Sequence, residues 1–371
     1  MNELLYLSFD SLQEGVGSSQ VLAYVRKIVH KRPVRIISFE KEMPDTSSIR
    51  IIQSAGIAWT PLPFGRFGVL GGLSRLIRMW LEIDRKKIIH ARGNLSGLAA
   101  LLRFPRFWIW DCRSLHADQR RALSDNRSVT PTFIAMRIVE YFLAKQSAAI
   151  IVITNAVIPL FISRYKIPKK KISMISTCVD TERFTQVSQS QSSTIKILLA
   201  GTFSPAYDII LMNDIIAKLR ESRKVWVTIA ASVGTTDAWK ILDYDEFVSV
   251  QHSEMPNLIA KSDLGLSIWK NDLGVCLTSV ASTKAAEFLA CGRPIFVNSL
   301  QGDFGSLVKA NSVGVVTLGA SSDEVEDYVS QILNLLADPD LGRRCRALAE
   351  TSFNLNNGVA RLLEIYSTFE K

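Results

Sequence analysis

Between residues 279 and 298 the chain places four reactive side chains where a helix begins: Ser282, Thr283, Lys284 and, one turn on, Glu287. Ser and Thr cap helix starts, Gly292 sits where glycines end helices, and Pro294 leads into an apolar strand, Ile295–Val297. Lys284 runs against the usual pattern. A cation in the first turn opposes the aligned backbone dipoles at a cost of roughly 0.3–1 kcal/mol. An anion docked at the helix start removes that cost, and the unpaired N–H groups of Ser282, Thr283 and Lys284 supply hydrogen bonds to it, which is the chemistry of a phosphate site. Glu287 shares a helix face with Lys284 and is suited to accept from ribose hydroxyls. The plainer alternative is a solvated Lys–Glu pair.

A second group lies in the first half. Trp108-Ile109-Trp110-Asp111-Cys112-Arg113-Ser114-Leu115-His116-Ala117-Asp118 closes an apolar strand, and His90-Ala91-Arg92-Gly93 closes another. Asp111, Arg113, His116 and Asp118 form the densest set of reactive side chains in this half. They stand at carboxyl ends of strands, where open α/β sheets bind ligands. Gly15-Val16-Gly17-Ser18-Ser19 follows the first strand and precedes a helix. The third glycine of a dinucleotide fingerprint is replaced by Gln20, which leaves a nicotinamide reading with Glu40 as its single candidate ribose acid. Asp243-Tyr244-Asp245 and Asp338-Pro339-Asp340 fit an Asp-x-Asp metal pattern, but both sit in acidic turns, and no metal is expected there.

The elements that must carry these residues alternate strand and helix. Strands are expected at Leu4–Phe9, Val34–Glu40, Ile57–Pro61, Lys87–His90, Ala149–Ile153, Ile195–Ala200, Val225–Ala230, Phe247–Val250 and Leu264–Ile268, with helices between them. That order requires parallel sheets. A chain of 371 residues suits two domains. The boundaries expected are 1–184 for the first, 185–194 for a polar linker, 195–355 for the second, and 356–371 for a terminal helix returning to the first.

Charge is unevenly divided. Residues 1–200 hold 29 Lys and Arg against 14 Asp and Glu, while the remainder holds 15 against 21. A basic first half suits an anionic acceptor or membrane surface. It also suits nucleic acid, but no RNP, helix-turn-helix or zinc spacing accompanies it, so nucleic acid is not expected. The segment Leu73–Arg85 carries Leu73, Leu76, Ile77, Trp80 and Leu81 on one stripe with cations around it. Such a stripe packs on its own sheet or lies on a membrane face. Five cysteines of no common spacing, and a start without the cations of a signal peptide, suggest a reduced, cytoplasmic setting, at the inner face of the membrane if lipid is contacted.

The segment Thr283-Lys284-Ala-Ala-Glu287-Phe288-Leu289-Ala290-Cys-Gly292-Arg-Pro294 resembles the donor-site helix of GT-B glycosyltransferases, in particular glycosyltransferase family 4. The Gly15–Ser18 loop, the strand ends at Arg92 and Asp111, Ile172–Asp180 and His252–Leu258 are similar to other segments of that family. The resemblance implies two Rossmann-like domains facing a cleft, the GT-B fold. It implies retaining transfer of a sugar from a nucleotide-diphosphate sugar, with no further cofactor, to a glycan or lipid-linked acceptor in polysaccharide or glycoconjugate biosynthesis. Lys284 would balance the leaving diphosphate, and Asp111, His116 and Asp118 would position the acceptor or reacting sugar. Gly15, Gly17, Ser18, Arg92, Arg113, Gly201, Thr202, His252, Ser279, Ser282, Thr283 and Glu287 would line the substrates. Two departures stand out. Ser279 replaces the first Glu of the family, and no cation occurs between Gly201 and Lys218 where an Arg and a Lys are usual. They leave a non-catalytic binding partner or a sugar-nucleotide epimerase as alternatives.

Overall fold

The computed structural model describes residues 3–13, 15–124, 127–187, 193–201, 204–231 and 239–370. The chain divides into two compact units, Met1–Ser176 with Leu355–Lys371, and Thr177–Asn354.

The first unit holds seven strands: β1 Leu4–Leu7, β2 Val34–Glu40, β3 Ile57–Pro63, β4 Ile88–Arg92, β5 Phe107–Cys112, β6 Ala149–Val152 and β7 Ile172–Met174. They lie in the order β3-β2-β1-β4-β5-β6-β7, and every pairing is parallel. Parallel strands need crossover helices on both faces, so β1, β4 and the end of β5 are buried apolar runs without alternation. The order reverses between β1 and β4, which makes their carboxyl ends the switch point of the sheet.

The second unit repeats the plan with β8 Thr194–Ala200, β9 Lys224–Ala230, β10 Glu246–Val248, β11 Leu264–Ser267, β12 Ile295–Asn298 and β13 Gly314–Thr317. Their order is β10-β9-β8-β11-β12-β13, again all parallel, with the reversal between β8 and β11. Both sheets are thus Rossmann-like. The two Rossmann-like domains anticipated from the sequence are both present.

Two details of chain division follow from hydrogen bonds. Thr177 Oγ1 donates to Ala281 O at 3.0 Å, Val179 N donates to Phe353 O at 2.7 Å, and Phe184 is buried with Ala286 and Phe288. The segment before the polar run therefore belongs to the second unit, ahead of the expected linker, whose residues 188–192 lie outside the described residues. The terminal stretch is two helices, Leu341–Ser352 and Leu355–Ser367, and the latter belongs to the first unit. All five cysteines are free and buried.

The helix Gly68–Glu82 packs only part of its apolar stripe, Leu76 lying against the core of the first unit. Leu73, Ile77 and Leu81 are exposed, while Arg75 is buried. No helix of the described residues is long and apolar enough to cross a membrane.

Candidate functional site

In the second unit, the helix Thr283–Ala290 begins with Ser282, whose hydroxyl accepts from Ala285 N at 3.2 Å. It ends with Gly292 at φ 73°, a left-handed stop that suits glycine, and Arg293 N bonds back to Phe288 O at 2.9 Å. Packing fixes its height on the sheet. A Cβ on Gly265 of β11 would lie 2.8 Å from the Phe288 ring and 2.7 Å from Ile295, so only glycine lets the helix approach so closely. Gly201, just past β8, has φ 129° and stands beside the Lys284 stem, its Cβ position 3.9 Å from Cγ. Lys284 therefore lies at the carboxyl end of the switch-point strand β8. Thr202 falls outside the described residues.

The anion that meets Lys284 is Glu287: Nζ to Oε2 is 2.8 Å. The other carboxylate oxygen, Oε1, lies 3.1 Å from His252 Nε2. Arg183 NH1 is 3.2 Å from His252 Nδ1, and its NH2 also donates to His252 O. Because a guanidinium only donates, Nδ1 accepts and Nε2 carries the hydrogen that it gives to Glu287. Burial alone would raise the Glu287 pKa. The Lys284 charge and the His252 hydrogen bond outweigh burial and hold the carboxyl below its ordinary value, so it is ionised at neutral pH. Glu287 is 1% exposed at the side chain against 27% for Lys284, which leaves the ammonium the accessible part of the pair. Ser279 is buried, and its hydroxyl donates to Cys276 O at 3.0 Å. Arg346 bonds the carbonyls of Thr181, Phe184 and Ala290, tying the segment that carries Arg183 to the end of the same helix.

In the first unit, Asp111 is the centre of a buried group. His90 Nε2 lies 3.2 Å from Asp111 Oδ2, Arg113 NH1 3.3 Å from Oδ1, and Arg92 NH1 3.6 Å from Oδ2. Arg92 Nε also meets Asp10 at 3.0 Å. On its far side His90 Nδ1 contacts the Tyr366 hydroxyl at 2.8 Å, and Tyr6 stacks on the imidazole at 4.2 Å. Burial opposes the Asp111 charge, yet Arg113, His90 and Arg92 together hold its pKa well below the usual range. For His90 burial prevails over Asp111 and lowers its pKa, so the ring is neutral at pH 7. A cavity of about 10 Å³ remains among Tyr6, Tyr24, Arg92, Asp111 and Arg113, space for one water.

The structure divides the expected first-half cluster. His116 opens the helix His116–Ala122 and is exposed, with desolvation and then Arg120 lowering its pKa. Asp118 is buried and faces elsewhere, bound to Arg164 at 2.7 Å and to Arg137 at 3.3 Å. Beside it Glu140 accepts from Ala117 N, Asn94, Arg137 and Tyr165. This lattice joins four helices and leaves Asp118 remote from Asp111 in its bonding. Gly17 is required by contact, since a Cβ there would sit 1.7 Å from Ser11 O; Gly15 has φ 53°, and Ser18 lies in the π-helical turn Gly17–Leu22. Glu40 accepts from Ser11 Oγ, Leu12 N, Gln13 Nε2 and Ser38 Oγ. It holds the glycine-rich loop in place, which removes it as a ribose ligand for a nicotinamide cofactor.

Neither Asp-x-Asp pair converges on a metal position. Asp243 and Asp245 both bind Arg220, Asp338 binds Arg344, and Asp340 binds Arg343. Among the described residues no group of three His, Cys, Asp or Glu could hold a metal ion. Arg183, His90, Asp10 and Tyr366 were missed by sequence reasoning. Arg183 lies three residues beyond Asp180, the end of a segment the sequence had marked, which was signal enough; the others depend on partners distant in sequence.

Residues 17–183 match the family described as Glycosyltransferase Family 4. That segment makes up most of the first unit and under half of the whole chain. Two Rossmann-like units of this kind are the plan of the GT-B glycosyltransferase fold, as the sequence had suggested. No curated protein sequence matches it. Among solved structures it is similar to sucrose-phosphate synthase from Thermosynechococcus elongatus, with TM-score 0.73 and 13% identity over 100% of this chain and 99% of that one. Anabaena Alr3699/HepE in complex with UDP-glucose gives TM-score 0.71 and 13% identity over 99% and 100%. WaaG, a glycosyltransferase involved in lipopolysaccharide biosynthesis, gives 0.69 and 12% over 98% and 99%. At these identities the likeness shows the fold.

Proposed function

We propose that the second unit binds a nucleotide-diphosphate sugar at the start of the helix Thr283–Ala290 and that the enzyme transfers the sugar, with retention, to a hydroxyl of a glycan or lipid-linked acceptor held by the basic first unit. The observation that carries this reading is the group Lys284, Glu287 and His252 beside Gly201 at a sheet switch point. A diphosphate leaving group gains charge as the glycosidic bond breaks. Fixed cations and helix-start amides aimed at that charge stabilise the transition state without reorganising. Lys284 and the amides of Ser282, Thr283 and Lys284 fill this role, while the buried Glu287 accepts from the ribose and keeps the ammonium in place. The bound sugar nucleotide of HepE supports the donor class. The lipopolysaccharide role of WaaG supports an acceptor of glycoconjugate type.

No covalent nucleophile is assigned. Asp111 is buried and matched by Arg92, Arg113 and His90, so its part is to hold the two guanidinium groups where an acceptor or the sugar meets them. His116, exposed beside this group in sequence, is assigned to the acceptor. Asp118 positions the helix from which His116 projects. The test is nucleoside-diphosphate release from a panel of sugar nucleotides with and without a lipid-linked acceptor. Acceptor-dependent release supports the reading. Tight donor binding without release points to a binding partner, the possibility that Ser279 keeps open, and conversion of donor alone points to an epimerase.

A further inference from the structure

The helix Gly68–Glu82 packs Met79 and Leu76 inward and presents a second apolar face outward. Val69 is 89% exposed and Leu70 83%, and Leu73, Ile77 and Leu81 are also exposed. At 3.6 residues per turn these five fall within an arc of about 120°, along roughly 18 Å of helix. Phe67, just before the helix, is 79% exposed and extends the row. Of the charged side chains of the helix, Arg75 points the other way: it is buried, donates to Phe64 O at 2.9 Å and Arg66 O at 2.8 Å, and stacks on the Phe64 ring at 3.9 Å. A helix facing only water would reverse these positions.

The ridge continues onto the next helix, Gly93–Arg103. Trp80 Nε1 donates to Leu102 O at 3.2 Å, and Leu102 and Phe104 are exposed beside it. The rim is cationic. Arg66, Arg78, Arg85, Lys86 and Arg106 are exposed and outnumber the exposed Asp84, and Glu82 is held by Arg35 at 2.6 Å.

We propose that this ridge is a membrane-docking face: its leucines, isoleucine, valine and phenylalanines enter the acyl boundary of an anionic bilayer while the arginine and lysine rim meets lipid phosphates. An apolar centre ringed by cations matches a bilayer surface, which is apolar below and anionic above. A second copy of the chain fits it poorly, because a symmetric contact sets the same cationic rim against itself. Nucleic acid offers nothing to the apolar centre. The inference rests on the reading above only in what docking is for, delivery of a lipid-linked acceptor; lipid binding stands independently of transfer.

The experiment is flotation of the full chain with vesicles of phosphatidylcholine alone or mixed with phosphatidylglycerol. Binding is expected to the mixed vesicles, to weaken with salt, and to fall at least about tenfold in the triple variant Leu70→Glu/Leu73→Glu/Ile77→Glu. A control, Ile134→Glu/Ile138→Glu, alters another exposed apolar face and should bind as wild type. All three changes are at exposed positions, and nucleotide affinity of the triple variant should be unchanged, which separates this inference from the donor reading. Wild-type protein that ignores both vesicles, or a triple variant that floats as well as wild type, overturns the proposal. So does a wild-type dimer that the triple substitution splits while neither form binds lipid.

Discussion

Replacing Lys284 by Met tests the donor reading most directly. The ammonium lies 2.8 Å from Glu287 and remains 27% exposed, so it can serve its carboxylate partner and a diphosphate together. Losing one charge-assisted contact to the diphosphate weakens binding by about 1.5–3 kcal/mol, roughly a 10- to 150-fold rise in Kd. Stability falls as well, because Glu287 stays buried with only His252 to match it. Breaking a fully buried pair costs about 3–5 kcal/mol; solvent reaches Lys284, so about 1–2 kcal/mol is the fitting figure here. The two effects separate in a cycle with Glu287→Gln. Titration calorimetry with UDP and thermal unfolding would be run on both single variants and the double. The double variant should regain much of the lost stability yet bind UDP no better than Lys284→Met. Wild-type UDP affinity in Lys284→Met, or its recovery in the double variant, would show that this lysine serves only its own helix.

Other positions give independent tests. Gly265→Ala should destabilise the second unit by about 1–3 kcal/mol through the crowding of Phe288 and Ile295, read by denaturant unfolding. Asp118→Asn removes one charge from a buried arginine lattice and should lower stability by about 2–4 kcal/mol while UDP affinity in calorimetry holds. The buried His90–Asp111 pair sets an acid limit on the first unit. Both folded-state pKa values lie below the unfolded ones of 6.5 and 3.8, so the unfolded chain takes up protons first as pH falls. The stabilisation is complete above about pH 6.5 and declines below it, and His90→Gln should flatten the upper part of that decline in a series of unfolding curves.

What the sequence revealed was what is local. Ser282 and Gly292 mark a helix by cap chemistry acting within a turn, and strands such as Leu4–Leu7 stand out because burial on both faces makes them unbroken apolar runs. The Lys284–Glu287 pair was legible for the same reason, being one turn apart. His252 was marked by family resemblance alone, since nothing in the spacing of His252 and Glu287 announces their contact. Asp118 looked like a neighbour of Asp111 in sequence, yet its partners Arg137 and Arg164 arrive from two later helices. The stripe from Leu73 to Leu81 had the right period but the wrong direction: periodicity specifies a face without saying whether that face meets the sheet or the outside, and the inward turn of Arg75 decided it.

The helix Leu355–Ser367 has a bearing on biogenesis. It supplies Tyr366 to the histidine under Asp111, and Arg32 pairs with Glu370 at 2.9 Å. A nascent chain emerging from the ribosome thus makes all seven strands of its first sheet early but must wait through the synthesis of Thr177–Asn354 before the helix that completes the unit appears. Until then the underside of Tyr6 and His90 lacks its cover, and the half-built unit is a natural client for a chaperone.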